Sequence, residues 1–300
     1  MKNPETLPDI TNKDKKYKCI ITILIFFLLI FIILSIIFIS LYISEKNKTK
    51  DEPKKEESYY KPSEDQYIEI LQNMDEEGDE GAKEYQGKHD ILNSKYFHSY
   101  DFYNMKSSGS LILLEKFKTY QQTTSYTCGC AALIMAIYYL DNKAIGEQDC
   151  VNVANTTKGI GTLPENLEKA IVAFGHEYET KRNFTDEENP IYDPSKFSKY
   201  IQETLKNKEP IIILSNDWAG HYTVIIGYDD MGNDNLEDDV VIVADPFDTT
   251  DHICDGFTIW SYERLYYQMV VPYLGLYDYE FFRVKKKTKN NYLSDKNKIK

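Results

Sequence analysis

Residues 122–140 read QTTSYTCGCAALIMAIYYL, and the change of character at Cys128 decides how the rest of the chain is read. From Cys128 to Leu140 apolar, helix-forming residues occupy nearly every face, and Asp141-Asn142 stops the run, which describes a helix buried at the centre of a domain. Cys128 falls in its first turn. A thiol is a useful nucleophile only as its thiolate, and the partial positive charge of a helix N-terminus lowers its pKa, as does a neighbouring imidazolium. Gly129 leaves the backbone room for close approach. The Cys128 N–H can face a developing oxyanion, and the side-chain amide of Gln122, in the turn before the helix, suits the second donor. Gln121 competes for that role, and the spacing favours Gln122.

Working outward, Leu111–Tyr120 reads as a strand leading to the turn Gln121–Thr127. Downstream, Thr162 as N-cap with Pro164 and Glu165 in capping-box spacing opens a second helix. Its stripe is Leu167, Ala170, Ile171 and Phe174, and Gly175 ends it. A third helix begins near Asp193-Pro194 and buries Phe197, Tyr200, Ile201 and Leu205. The pattern then turns to strands: Pro210–Leu214, His221–Tyr228 and Val240–Asp245. A hairpin joining the last two, centred on Asn233, sets Ile226 against Val240 and Val224 against Ile242. It also sets His221 against Asp245 on one face, although 24 positions separate them in sequence. The acidic loop Asp229–Asp239 lacks the ligand order of a calcium loop and reads as a turn.

Three residue types thus converge on one chemistry. His221 takes and returns a proton, Asp245 holds its tautomer and orientation, and Cys128 attacks. Taken singly, each has a plainer reading: an inert buried thiol, a polar residue at a strand edge, a turn former before Pro246. Their predicted juxtaposition favours the functional one.

Gln122-x5-Cys128-Gly129, Gly220-His221-Tyr222 opening a strand that ends Ile226-Gly227-Tyr228, and Val243-Ala244-Asp245-Pro246 together resemble the bacteriocin-processing peptidases that cut double-glycine leaders, and their papain-like relatives. The resemblance implies Cys128 as nucleophile, His221 as base, Asp245 as orienting carboxylate and Gln122 as oxyanion donor. It departs where Cys130 stands two places after the nucleophile and where the loop between His221 and Asp245 is long. Those transporters also carry a multi-span region and a nucleotide-binding domain; this chain has one span and no GxxxxGK[ST] loop, so a leader-peptide substrate is not implied.

Composition divides the remainder. Cys19–Ser44 holds no charged residue, and its 26 positions reach about 39 Å as a helix, enough to cross a bilayer. Bulky Phe38, Leu41 and Tyr42 run straight into Glu45 and Lys46, unlike a cleavable signal. Five lysines precede the span and six lie in the 18 residues after it, so charge does not orient it. A short tail before a single span places the N-terminus in the cytoplasm and the large domain on the extracytoplasmic or lumenal side, where Asn155 and Asn183 are candidate glycan acceptors. The net charge of −13 is concentrated: residues 51–90 carry 14 acids and five lysines, whereas residues 283–300 carry eight bases and one acid.

Residues 45–104 therefore read as a mostly solvated acidic spacer or a propeptide, with one short helix at Tyr67–Met74, and Arg283–Lys289 as a frayed, solvated end. Nothing suggests nucleic acid. The five cysteines show no C-x-x-C spacing, so neither a zinc ribbon nor a disulfide framework is indicated, and Cys19 is an incidental apolar residue at the membrane edge. His252, Cys254, Cys130 and Cys150 have no convincing metal-ligand spacing. Tyr266 and Tyr267 belong to packing.

The expectation is an α+β papain-like fold preceded by one transmembrane helix: tail 1–18, span 19–44, spacer or propeptide 45–104, peptidase domain 105–284, basic tail 285–300. The expected reaction is hydrolysis of a peptide or isopeptide bond through a Cys128 thioester, with no metal or organic cofactor. Its partners are a peptide or protein substrate and a lipid bilayer at 19–44, with no obligate protein partner. The alternatives are acyl or peptidyl transfer, as in phytochelatin synthases, and an inactive membrane-held binding module.

Overall fold

A computed structural model describes residues 10–51, with side chains from 21 to 43, together with residues 59–269 and 280–287. The chain divides into two units, residues 1–58 and 59–300. The first contains one helix, α1 (Ile10–Asp51), whose stretch Ile21–Ile43 has a mean hydropathy of 3.4 and is long and apolar enough to cross a membrane. Expectations for residues 1–9, for the side chain of Cys19 and for residues beyond 287 lie outside the described residues.

The second unit starts with an ordered segment, residues 59–104, followed by β1 (Leu111–Leu113), α2 (Cys128–Asp141), α3 (Glu147–Val153), α4 (Pro164–Ala173), β2 (His176–Glu179) and α5 (Pro194–Lys206). Then come β3 (Ile211–Ser215), β4 (His221–Asp229), β5 (Val240–Ala244), β6 (Phe257–Ser261), α6 (Tyr262–Met269) and β7 (Phe281–Lys286). The strands form one antiparallel sheet in the order β2-β7-β3-β4-β5-β6, and β1 extends the β3 side by pairing with the far end of β4. Helix α2 packs across β4, β3 and β7, which is why its sequence is apolar all round: Cys128 through Ile137 and Leu140 are buried. Asn142, in the left-handed conformation at φ 52°, ends the helix with its N–H on the Tyr138 carbonyl. Truncating a side chain such as Ile134 to Ala in this interior costs about 2–5 kcal/mol. This is the α+β papain-like arrangement: a helical half carrying Cys128 against an antiparallel half carrying His221 and Asp245.

Several sequence expectations are corrected. The strand expected over Leu111–Tyr120 survives only as Leu111–Leu113, because the chain then turns at Glu115 and Lys116, the latter at φ 58°. Leu163 and not Thr162 occupies the N-cap of α4; the Thr162 hydroxyl bonds to Thr156 instead, at 2.7 Å. Residues 59–104 are packed onto the domain rather than solvated: Gln66, Ile68, Ile70, Ala82 and Phe102 are buried. Tyr67–Met74 is extended, not helical, and Tyr67 bridges Thr119 as a parallel partner. The acidic charge of this segment conceals apolar positions two residues apart, Ile68 and Ile70, which an extended chain can bury on one face. The described start of the basic end, up to Lys286, is likewise structured, since Phe281, Phe282 and Val284 are buried in β7 while Arg283 and Lys285 pair with Glu209 and Glu179.

The register of the β4–β5 hairpin also differs. Asp229 faces Val240 and Gly227 faces Ile242, then a bulge at Ile226 shifts the pairing so that Val224 faces Ala244. Without the bulge, Asp245 would fall opposite Val224, on the face away from His221. The extra residue changes the parity and sets Asp245 opposite Thr223, diagonal to His221 on the same face. The expected juxtaposition thus arises from a pairing two residues removed from the expected one.

Candidate active site

Cys128 opens α2, preceded by Thr127, whose hydroxyl makes no helix cap but donates to Glu147 Oε1 at 2.7 Å. The first-turn N–H groups are therefore left without a side-chain cap at the thiol. Across from it, the chain reaches His221 through Trp218, Ala219 and Gly220, at φ 53°, 63° and 126°. Three consecutive positive values turn the backbone sharply at the head of β4, and the last lies where glycine alone is comfortable. His221 Nε2 meets Asp245 Oδ1 at 2.7 Å, both side chains being almost wholly buried. Asp245 occupies one ring nitrogen and leaves the other to serve the Cys128 thiol, which lies near enough to His221 for the imidazole's charge to act on the sulfur. The structure therefore brings Cys128, His221 and Asp245 together, with a hydrogen bond between the last two.

The Asp245 carboxylate is held from its own loop, Oδ1 also accepting the Phe247 N–H at 2.8 Å. Gln121, weighed above as an oxyanion donor, does something else. Its Nε2 donates to the Asp245 carbonyl at 2.7 Å and its Oε1 accepts the Asp248 N–H at 3.0 Å, so it clamps the loop that carries the carboxylate. Gln122 is buried in the turn ahead of α2, its N–H on the Pro246 carbonyl at 2.9 Å and its Nε2 on the Thr124 carbonyl at 2.7 Å. A primary amide has two N–H bonds, so one remains for another acceptor. No hydrogen bond joins Gln122 to Cys128 or His221, and its buried Oε1 has no partner.

Burial pushes the Cys128 thiol up, but the hydrogen bond and charge of His221, with the backbone N–H groups of Tyr222 and Gly129, outweigh it and hold the thiol below its ordinary value. Burial alone would push His221 down; the Asp245 carboxylate and the bond to Cys128 reverse this and lift the imidazole to about 10. Both directions favour a thiolate–imidazolium pair, with charge separated in advance of any reaction.

Sequence reasoning missed Glu147. Wholly buried at the start of α3, its carboxylate accepts from the Thr123 N–H at 3.1 Å, the Tyr120 hydroxyl at 2.8 Å and the Thr127 hydroxyl, and from the Thr123 hydroxyl. It ties the whole turn from Tyr120 to Thr127. A lone acid at the head of a short amphipathic segment gives no sequence signal of this. Among the described residues no group of three His, Cys, Asp or Glu side chains is arranged to hold a metal ion. His252 bonds to Ser94, and Cys130 and Cys150 are buried free thiols. Beside Asp245 lies a cavity of about 350 Å³ walled partly by Phe97, Tyr100 and Phe102 of the preceding segment and by Trp218, and close to it sits a group of acids. Of these, Asp251 and Asp255 are pushed up by burial, to about 6 and about 8.

With this geometry in view, residues 114–270 match the Peptidase_C39 like family. The chain belongs to that family. The match runs from just after β1 to the end of α6, and so takes in Cys128, His221 and Asp245 while leaving out residues 59–104. Among solved structures, the peptidase domain of Streptococcus ComA, a bifunctional ABC transporter involved in a quorum-sensing pathway, aligns with 57% of this chain and 99% of its own at 16% identity and a TM-score of 0.36. A double glycine motif protease from an AMS/PCAT transporter, solved with its leader peptide, aligns with 56% of this chain and 91% of its own at 18% identity and a TM-score of 0.37. No curated protein matches the sequence significantly.

Proposed function

We propose that this C39-like chain is a membrane-anchored cysteine peptidase in which Cys128 is the nucleophile, His221 the general base and acid, Asp245 the orienting carboxylate and Gln122 an oxyanion donor. The observation that carries the reading is the buried His221–Asp245 hydrogen bond at 2.7 Å beside the Cys128 thiol at the head of α2. In this reading the thiolate attacks the scissile carbonyl carbon, forming a C–S bond and an oxyanion that faces the Cys128 N–H and the Gln122 amide. Imidazolium returns its proton to the departing amine as the C–N bond breaks, leaving a thioester. Water then attacks the thioester while His221 accepts its proton, and the acid product leaves with the thiolate restored. Asp245 stabilises the imidazolium throughout and holds Nδ1 towards sulfur.

The apolar stretch Ile21–Ile43 supplies the anchor. Its flanks carry nearly equal numbers of lysines, so their charge sets no orientation for the domain. The test is digestion of a peptide library by the detergent-solubilised full chain beside Cys128→Ala. Cleavage lost in the variant supports the peptidase, and an active-site thiol probe that labels both proteins equally refutes it. Adding an amine acceptor to the same digestion separates hydrolysis, which leaves the products unchanged, from acyl transfer, which yields the amide. Alkaline carbonate extraction that releases the chain from membranes would refute the anchor.

A further inference from the structure

Residues 59–104 lie outside the family match, yet they lie along the turn that carries Gln122. The Lys83 N–H donates to the Gln122 carbonyl at 3.0 Å and the Gly81 N–H to the Thr123 carbonyl at 3.1 Å. On either side of these, Asp79 Oδ1 accepts the Ser125 N–H at 2.8 Å, and Thr123 Oγ1 accepts the Met74 N–H at 3.1 Å. Glu76 accepts the Tyr126 hydroxyl at 2.8 Å, and Ala82 is completely buried. The backbone of Gln122 is thus tied on both sides: its N–H to Pro246, beside Asp245, and its carbonyl to Lys83.

The approach is close enough to demand glycine. A Cβ on Gly81 would lie 2.3 Å from the Gln122 carbonyl oxygen and 2.6 Å from the Thr124 nitrogen. Both are backbone atoms that cannot swing aside. Gly81 itself has φ −95°, which any residue adopts, so the glycine answers to that contact and not to a turn.

We infer that residues 59–104 are an activating strap, in which Gly81 and Lys83 act as positioning residues that hold the Gln122 turn where its side-chain amide serves the oxyanion. This rests on the peptidase reading above and opposes the idea that the segment is a propeptide whose removal releases activity. A solvated spacer would need no buried alanine or glycine of this kind. A removable inhibitor would occupy the thiol, whereas the contacts of Gly81 and Lys83 fall on the backbone of the oxyanion turn.

The test uses the full chain in detergent and compares wild type, Gly81→Ala, Gln122→Ala and the double variant by two readouts. Hydrolysis of a peptide substrate needs the oxyanion donor; alkylation of Cys128 by iodoacetamide needs only the thiolate. Removing one such donor from other hydrolases costs about 10²- to 10³-fold in kcat, so displacing it should cost about 10- to 100-fold. The expected result is that Gly81→Ala lowers kcat by that factor with KM and the pH profile of alkylation unchanged, and adds nothing in the Gln122→Ala background. Wild-type kcat in Gly81→Ala, or equal losses in hydrolysis and alkylation, overturns the inference.

A second arm keeps it testable if Gly81→Ala fails to fold. A specific protease site inserted between the exposed Ser108 and Gly109 allows the strap to be severed from the folded protein, and a rise in kcat/KM after cutting overturns the strap in favour of a propeptide. If wild type neither hydrolyses peptides nor takes up iodoacetamide at Cys128, the peptidase reading itself fails and the strap fails with it. If wild type is active and only the Gly81→Ala prediction fails, the peptidase stands alone.

Discussion

Replacing Asp245 by Asn keeps the side-chain shape but removes the charge that lifts His221. In the folded protein the imidazole is raised from an ordinary 6.5 to about 10, against burial that would lower it. That gap, at about 1.4 kcal/mol per pH unit, corresponds to about 5 kcal/mol, or a few thousandfold in the population of the imidazolium. Cys128 supplies part of the lift, so the share lost with Asp245 is expected to slow iodoacetamide alkylation of Cys128 at pH 8 by about 10²- to 10³-fold. The thiolate–imidazolium pair exists between the lowered pKa of Cys128 and the raised pKa of His221, so wild-type hydrolysis, which also needs the imidazolium proton, should hold through pH 9 and fall near 10, while alkylation, which needs only the thiolate, should not fall. Asp245→Asn should pull that alkaline limb down by at least two pH units.

The stability effect has a definite sign. Because His221 is raised when folded, its contribution is complete below pH 6.5 and is lost as pH climbs towards 10. Cys128, being lowered, contributes above its ordinary 9.0 and loses that contribution as pH falls through its folded value. The assay is alkylation rate against pH, followed by mass spectrometry of the peptide containing Cys128. Superimposable profiles for wild type and Asp245→Asn would refute the argument that this carboxylate sets the state of the pair.

Gln121→Leu should abolish the clamp on the Asp245 loop and strand a buried carbonyl and a buried N–H; two unsatisfied groups at about 1–3 kcal/mol each predict a loss of roughly 2–6 kcal/mol in urea unfolding. Glu147→Ala removes the acceptor shared by Tyr120, Thr123 and Thr127 and should cost at least about 3 kcal/mol; an unfolding midpoint equal to wild type would show that the turn is held by something else. Asp255, buried and raised to about 8, stays protonated while the unfolded chain ionises near 3.8. The stability it permits is present below pH 3.8 and lost as pH rises towards 8, so Asp255→Asn should raise the melting temperature more at pH 8 than at pH 5.

The helical half of the fold was open to a reading of the chain because local rules govern it. Cys128–Leu140 is apolar around its whole circumference, and α5 starts at Asp193-Pro194 as its cap predicts, Asp193 accepting the Lys196 N–H at 3.0 Å. The apolar character of Ile21–Ile43 is local in the same sense. β2 and β7 were hidden, because β7 lies among basic residues and its burial depends on β3 and β2 arriving from elsewhere in the chain. The charge of residues 59–104 points to a solvated segment, since the sequence does not show that Ile68 and Ile70 will meet a surface more than 40 positions away.

The amino-acid order alone determined which chemical groups were available and which elements would present them: a thiol opening an apolar helix, an imidazole opening a strand, a carboxylate closing the next. Tertiary structure decided their alignment. A one-residue bulge at Ile226 selects the face on which Asp245 emerges, and Gln121, Glu147 and Gly81 hold loops whose own sequences specify no single conformation. The physical reason is range. Helix formation and capping are settled within a turn or two of chain, whereas strand parity and the fixing of a loop depend on partners that only the folded chain brings within hydrogen-bonding distance.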